Sequence, residues 1–588
     1  MAEKFNKKYL KELFFHISKI RKIQFFYLLI FTILVGILEM LTIASVVPFV
    51  KSVTDESFLI ENSYYMKFFA YRSKEDGAII AGMIFAGLSL FCAVARSVLI
   101  YVNSKFSHVV TAELSVKLFK AKLFEPYSSH IKKSSSNIIS IVTQKINQIY
   151  GTLSAIINFF SSCFILTCLV VVLVWINPVV TLFAFIFFGV LYFLITILSK
   201  KTTIRNSKII NKQQDEIVVT LQNGLGAIRD IVLDKAQIFY LSFFEKAALV
   251  KARRQAINEF IQFSPRYIFE GMGILLMIVS FFYWSSSQGN MAGALKILPT
   301  LAALALGSQR VIPLLNNLYV NFITARTSAY QIGEVVTILN EDLNNQEKRK
   351  LIESKFIYFN NSIYFDNVSF SYENSKKYIL ENVSLEIKKG SKIGILGKSG
   401  EGKSTFLDLL MGLLEPESGS IYIDGVKLSL ETISSWQSKL SHVPQKIFLS
   451  DTTFRENIAF GVNDKNIDQT KLELAAKKAQ LEKFIMGLEN KYQDRVGERG
   501  VRLSGGQTQR VGLARALYKS SEVIIFDEAT NSLDSYTEEL ILNELNNLDE
   551  NLTIIIVAHR LNTLKYCDVV YEVKDRKILK IQDFKGSY

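Results

Sequence analysis

Six apolar stretches, each near the length needed to cross a bilayer, occupy the chain between residues 24 and 320, and none follows. A membrane helix needs ~20 predominantly apolar residues, because any backbone amide left unpaired in hydrocarbon is too costly. The stretches run over Gln24–Val50, Ala78–Tyr101, Leu153–Ile176, Val179–Leu198, Tyr267–Trp284 and Ile297–Val320, with the short turn Asn177-Pro178 between the third and fourth. An even number of spans returns both ends of this region to one side of the membrane.

The remaining residues have the mixed composition of a soluble domain, so the 49% apolar content of the 588 residues is an average of two unlike halves. Such a length suits two or three domains. The net charge of +14 could point to nucleic acid or to an anionic membrane surface. Its distribution favours the membrane: Lys4, Lys7, Lys8, Lys11, Lys19, Arg21 and Lys22 precede the first span, and Lys105, Lys117, Lys120, Lys122, Lys132, Lys133 and Lys145 lie between the second and third. The connection between spans four and five is equally basic, and the other three connections show no such excess. The positive-inside rule then places the N-terminus, both long connections and the soluble half in the cytoplasm. The first 22 residues read as a charged amphipathic segment rather than a cleavable signal. Cys92, Cys163, Cys168 and Cys567 form neither a disulfide framework nor a metal-ligand spacing.

The two long cytoplasmic connections are helix-permissive. They are expected to extend the membrane helices beyond the bilayer and to carry short transverse helices near Glu125–Lys133 and Gly226–Ile238. The first outer connection, Lys51–Gly77, fits either an amphipathic helix at the outer interface or a loop packed on the helix ends. The polar run Asn340–Lys355 marks a linker.

Chemistry begins at Gly397-Lys-Ser-Gly-Glu-Gly-Lys-Ser404, which matches the phosphate-binding pattern GxxxxGK[ST]. An apolar strand precedes it and an apolar helix follows, the context in which backbone N–H groups and a helix N-terminus wrap phosphate. Gly397, Ser399, Gly400, Gly402, Lys403, Ser404 and Thr405 are therefore candidate ATP-binding residues, Lys403 for the outer phosphates and Ser404 for Mg2+. Downstream, Val523-Ile-Ile-Phe-Asp527-Glu528 is a strand ending in two carboxylates. Asp527 suits the metal, and Glu528 is placed to accept a proton from the attacking water.

Between these lies Leu503-Ser504-Gly505-Gly506-Gln507, and LSGGQ is the signature of ABC transporter ATPases. The rest of that pattern follows: Tyr372 resembles the adenine-stacking aromatic, Gln445 the Q-loop glutamine and metal contact, Asp534 the D-loop acid, His559 the switch histidine, and Gly497-Glu498-Arg499-Gly500 the exporter-specific element. The resemblance implies an all-α six-helix transmembrane domain over residues 1–340, a linker over 341–355, and an α/β P-loop NTPase domain with an ABC signature subdomain over 356–588. It also implies a homodimer, with a heterodimer open, in which Ser504, Gly505, Gly506 and Gln507 of one subunit close on the ATP of the other. Catalysis would fall to Glu528, His559 and Gln445.

Cargo is read from ionisable residues inside the spans, each of which costs ~2.5 kcal/mol or more. These are Glu39, Arg96, Arg266, Glu270 and Arg310. Arg96 and Arg266 could reach the interface instead, and Glu39 could pair with an arginine. Guanidinium geometry suits a phosphate or pyrophosphate headgroup. PRYIFEG around Arg266, Arg310 before Val-Ile-Pro, and Arg96 in span two resemble the bacterial lipid-linked oligosaccharide flippases of the PglK type. That resemblance implies a multi-pass protein of the bacterial inner membrane that flips a polyprenyl-pyrophosphate oligosaccharide outward, with no nucleic acid partner. Export of another lipid, a drug or a peptide is the alternative.

Overall fold

The computed structural model describes residues 2–46, 49, 74–132, 135–176, 178–288, 298–327, 329–351, 355–372, 377–529, 538–540, 543, 551–558 and 564–581. The chain divides into two compact units, Met1–Glu125 with Ser129–Asn345, and Gln346–Tyr588 with Pro126–Ser128.

The first unit is helical: α1 Ala2–His16, α2 Lys19–Ala44, α3 Lys74–Leu123, α4 Tyr127–Lys132, α5 Ser135–Ser140, α6 Ile146–Ile176, α7 Pro178–Gly226, α8 Ile228–Leu233, α9 Gln237–Gln288, α10 Leu298–Thr327 and α11 Ala329–Leu351. The six apolar stretches fall on α2, α3, α6, α7, α9 and α10. Among the described residues, Lys19–Ala44, Ile79–Leu123 and Ser136–Val171 are long and apolar enough to cross a membrane, and Val311–Ala325 is a shorter apolar helix. At 1.5 Å per residue the 50-residue α3 is about 75 Å long, more than twice the ~30 Å hydrocarbon thickness. The 49-residue α7 and 52-residue α9 exceed it equally. Short helices, α4 and α8, stand where the sequence placed transverse ones. Residues 51–73 of the first outer connection lie outside the described residues. The expected linker is helical as far as Leu351.

Outside the apolar spans the helices still need a core, and they build one from stripes. Phe106, Val110, Leu114 and Leu118 recur every four residues on α3 and are buried against Ile332, Val335, Val336 and Leu339 of α11 and against Ile146 and Ile149 of α6. Such i, i+3, i+4 spacing lines one helical face. Polar bonds fasten the seam: Lys117 Nζ donates to the His16 carbonyl at 2.7 Å, and Asn340 joins the His16 ring at 2.8 Å and Glu12 at 3.1 Å. A single π turn, Ile141–Lys145, brings the buried Lys145 to Glu334 at 2.7 Å and Asp215 at 3.4 Å, tying three helices together.

Pro265 lies within α9 and has no N–H for the carbonyl of Ile261 four residues earlier. The Tyr319 hydroxyl of α10 donates to that carbonyl at 3.1 Å, and its ring packs 5.6 Å from Tyr192 of α7. Tyr319→Phe is therefore expected to cost about 1–2 kcal/mol of thermal stability in detergent. The same change in a Pro265→Ala background, where the backbone regains its missing N–H, is expected to cost little. Equal losses in both backgrounds would show that the hydroxyl does not serve the carbonyl that Pro265 frees.

In the second unit, an antiparallel sheet of order β2-β1-β4-β5 comprises Leu380–Lys388, Ser362–Phe370, Ser418–Ile423 and Val426–Lys427. A six-stranded sheet of order β10-β9-β3-β8-β7-β6 comprises Lys577–Lys580, Val569–Lys574, Lys392–Leu396, Thr553–Val557, Val523–Asp527 and Leu440–Val443. All neighbours in it are parallel except β10 and β9. Its central strands are apolar throughout because both faces are covered. Val523, Ile525, Ile555 and Val557 face one core with Phe406, Leu410 and Trp436, while Ile524, Phe526, Ile554 and Ile556 face the other with Leu472, Val511 and Ala514. Helices α12 Lys403–Leu410 and α13 Ile433–Ser438 bring Phe406, Leu410 and Trp436 to the first core. The second core holds a helical subdomain of α14 Phe454–Ile458, α15 Gln469–Lys478, α16 Glu482–Met486 and α17 Gly505–Lys519.

Candidate nucleotide-hydrolysis site

A parallel sheet collects whatever follows its strands at one edge, which is where ligands bind in such folds. Here β3 runs into the glycine loop, β7 ends at Asp527, and β6 leads to Gln445. The strand β8, paired on both sides by β3 and β7, ends at Val557. His559 and Asp534 lie outside the described residues.

The loop needs its glycines. Gly402 sits at φ 105° as the N-cap of α12, and a Cβ there would meet Ile379 Cγ2 at 3.0 Å. Gly400 has φ 85° with no heavy atom near its Cβ position, open space of the kind a bound group requires. Glu401 steadies the loop by accepting from the Lys398 N–H at 2.8 Å. Lys403 Nζ lies inside the curve of the loop and donates to the carbonyls of Gly397 at 2.6 Å and Lys398 at 2.9 Å. Burial pushes this ammonium below the usual lysine range, against the pull of Glu528, Glu401 and Asp527. Ser404 is exposed at the helix start, and Thr405 is buried beneath it. Tyr372 lies beside that helix, its hydroxyl 3.3 Å from Thr405 Oγ1.

The carboxylates follow from β7. Glu528 adopts φ 51°, a left-handed backbone unusual for a residue with a Cβ, and its N–H bonds Val557 across the sheet at 3.1 Å. Strain of this kind collects at functional positions. The turn brings the Glu528 carboxylate to Gln445 Nε2 at 2.6 Å. Burial, with Glu528 adding to it and Lys403 opposing, pushes the Asp527 carboxyl above the usual range. Asp408 on α12 rises to about 6, through burial first and Asp527 second.

One lysine therefore faces Asp527, Glu528 and Glu401, an excess of negative charge that fits a divalent cation. No group of three or more His, Cys, Asp or Glu able to hold a metal exists among the described residues. Mg2+ suits the arrangement because it commonly takes one or two protein oxygens and completes its shell with phosphates and water. Asp527 and Ser404 would hold it, and when bound it would neutralise phosphate charge.

Ser504 caps the N-terminus of α17 in a reciprocal box, its hydroxyl accepting from Gln507 N–H at 3.2 Å while its own N–H donates to Gln507 Oε1 at 2.8 Å. The box holds the first-turn N–H groups of Gly505 and Gly506 at an exposed helix end, ready for an anion.

In the helical unit Arg96 and Arg266 do not share a cavity. Arg96 meets the buried Glu39 at 3.1 Å and lines a cavity of about 280 Å³. Arg266 pairs with Glu270 at 2.8 Å one turn along α9 and is not among that cavity's lining residues. Arg310 lies on α10, with its side chain outside the described residues. The pattern of ionisable residues did not reveal the amides that share the Arg96 cavity. Their one sequence signal was two asparagines, Asn317 and Asn321, at helical spacing in an apolar stretch.

The chain is similar to several known proteins. Residues 380–531 match the family described as ABC transporter. Over 564 residues the chain is 25% identical to the ATP-dependent lipid A-core flippase of Coxiella burnetii, covering 94% of this chain and 90% of that one. It is 38% identical over 230 residues to the putative multidrug export ATP-binding/permease protein YgaD of Bacillus subtilis, covering 38% of this chain and 39% of the relative. A solved structure of a bacterial Atm1-family ABC exporter with ATP bound superposes with a TM-score of 0.76 at 23% identity, covering 94% of this chain and 93% of that one.

Proposed function

We propose that this chain, an exporter-type ABC half-transporter that couples ATP hydrolysis to transport, flips a polyprenyl-pyrophosphate-linked oligosaccharide from the inner to the outer leaflet of a bacterial inner membrane. The observation that carries the cargo is the Arg96 guanidinium, 48% exposed and facing a polar cavity among membrane helices. Glu39, 2% exposed, forms an ion pair with that guanidinium at 3.1 Å. The remaining N–H donors of its planar fork are left for a phosphate. Two relatives that match along nine-tenths of their length are named as lipid A-core flippases, which supports a lipid cargo.

In this reading two copies pair head to tail with N-termini and ATPase domains in the cytoplasm. Lys403 and the loop amides bind the phosphates, Tyr372 stacks on adenine, and Ser504 with Gly505 and Gly506 reaches the γ-phosphate of the partner's ATP. Glu528 takes the water proton, aided by Gln445 and His559, and Asp534 lies at the dimer seam. A phosphate bridging both halves favours closure, since its charge is satisfied only there.

The test is ATP turnover of the purified protein in lipid vesicles, with and without a polyprenyl-pyrophosphate oligosaccharide, for wild type and Arg96→Ala. Several-fold stimulation lost in the variant supports the reading. Steady turnover that ignores this lipid would reject the cargo while leaving the ABC exporter intact, and stimulation by a different lipid would name the replacement.

A further inference from the structure

The cavity beside Arg96 holds far more amide than charge. It lies among α2, α3, α6 and α10, and its polar lining includes Asn103, Asn158, Ser161, Asn317 and Asn321 besides Arg96. Among the described residues no Asp, Glu or Lys lines it. Asn103 donates to Asn158 at 2.7 Å, clasping α3 to α6, and Ser107 donates to Asn103 from below at 3.5 Å. Asn317 and Asn321 stand one turn apart on α10, and among the described residues neither side chain makes a hydrogen bond within the protein. Polar groups in membrane helices are costly and usually line a substrate path when they persist.

The chemistry separates two kinds of headgroup. A polyanion is held best by several cations, and among the described residues this cavity offers the Arg96 guanidinium, which also meets Glu39. A carboxamide presents two donors and an acceptor with two lone pairs, which matches vicinal hydroxyls that both give and take hydrogen bonds. At about 280 Å³ the cavity lies at the small end of ligand pockets, suited to one sugar unit and not to a whole glycan.

We infer that Asn317 and Asn321 form a subsite for the neutral, lipid-proximal sugar of the cargo, next to the phosphate held by Arg96. This rests on the proposed cargo. The two asparagines then read the sugar through its hydroxyls, and a bare polyprenyl pyrophosphate fills only the Arg96 end.

The experiment compares half-maximal stimulation of ATP turnover in vesicles by undecaprenyl pyrophosphate and by the same lipid bearing one N-acetylhexosamine. Wild type is expected to respond at lower concentration to the glycosylated lipid. Asn317→Leu with Asn321→Leu is expected to reduce that preference about tenfold or more, the loss of two or so hydrogen bonds, while stimulation by the bare lipid persists. An unchanged preference in the double variant overturns the subsite and leaves the cargo standing. A wild type that answers neither lipid overturns the cargo and the subsite together, a result distinct from the first. If the leucine pair does not fold, Asn321→Ser decides by the same ratio, since it keeps a small polar group and shortens the reach.

Discussion

Glu528→Gln is expected to lower steady-state ATP turnover by about 10²–10⁴-fold while leaving ATP binding in place. The substitution keeps size and hydrogen-bonding oxygen, so the 2.6 Å contact with Gln445 and the φ of 51° can both persist. What disappears is the carboxylate able to take a proton from water. The change also removes the negative charge that adds to burial in raising Asp527, so metal and nucleotide are expected to bind at least as well. Turnover measured beside fluorescent-nucleotide binding checks both halves. A variant retaining more than a tenth of wild-type turnover would remove Glu528 from the proposed role, whatever its affinity for ATP.

Lys403→Met should divide stability from binding even more sharply. The side chain is buried, and its charge is disfavoured there by desolvation. Methionine keeps the unbranched stem and removes that charge, but it leaves the carbonyls of Gly397 and Lys398 without their donor. These opposite effects should nearly cancel, giving a change within about 1 kcal/mol in the unliganded protein. ATP affinity is expected to fall ~100-fold or more, since charge-assisted bonds to phosphate contribute ~1.5–3 kcal/mol each. Thermal unfolding with and without ATP reads both at once. At an ATP concentration of ~100 times the wild-type Kd, ligand stabilises wild type by ~2.7 kcal/mol and is expected to stabilise the variant hardly at all. An undiminished shift in the variant would mean that the loop amides alone hold the phosphates.

The turn at Glu528 shows why the nucleotide site was readable before any coordinates. Its parts are local in sequence: a strand, a glycine loop and a helix from Lys392 to Leu410, and a strand closing on Asp527. Once β3 and β7 lie parallel in one sheet, their ends must share an edge, so identifying the strands already brings the motifs together. The Gln445–Glu528 contact was foreshadowed only by the likeness of each residue to its motif.

The membrane half was readable to a different depth. Hydrophobic length marked the six long helices, and the basic connections marked their extensions, because both are properties of consecutive residues. Pairing was not legible. Glu39 could have met any of three arginines, and the fold gave it Arg96, which lies 57 residues away. Pro265 leaves the Ile261 carbonyl without its helical donor, and the partner of that carbonyl, Tyr319, comes from another helix, α10. Likewise Asn103, Asn158, Asn317 and Asn321 belong to three helices and become one surface only when those helices pack.

The two halves, the six long apolar helices, the strand-loop-helix of the glycine loop and the chemical type of each site residue are all written in consecutive residues. They follow from periodicity and motif spacing over a few turns of chain. Packing alone settled that Arg96 and not Arg266 lines the polar cavity, which amides join it and which carbonyls hold Lys403. Such choices depend on the rotation and crossing of helices about their neighbours, and a shift of one residue around a helix turns a side chain by about 100°.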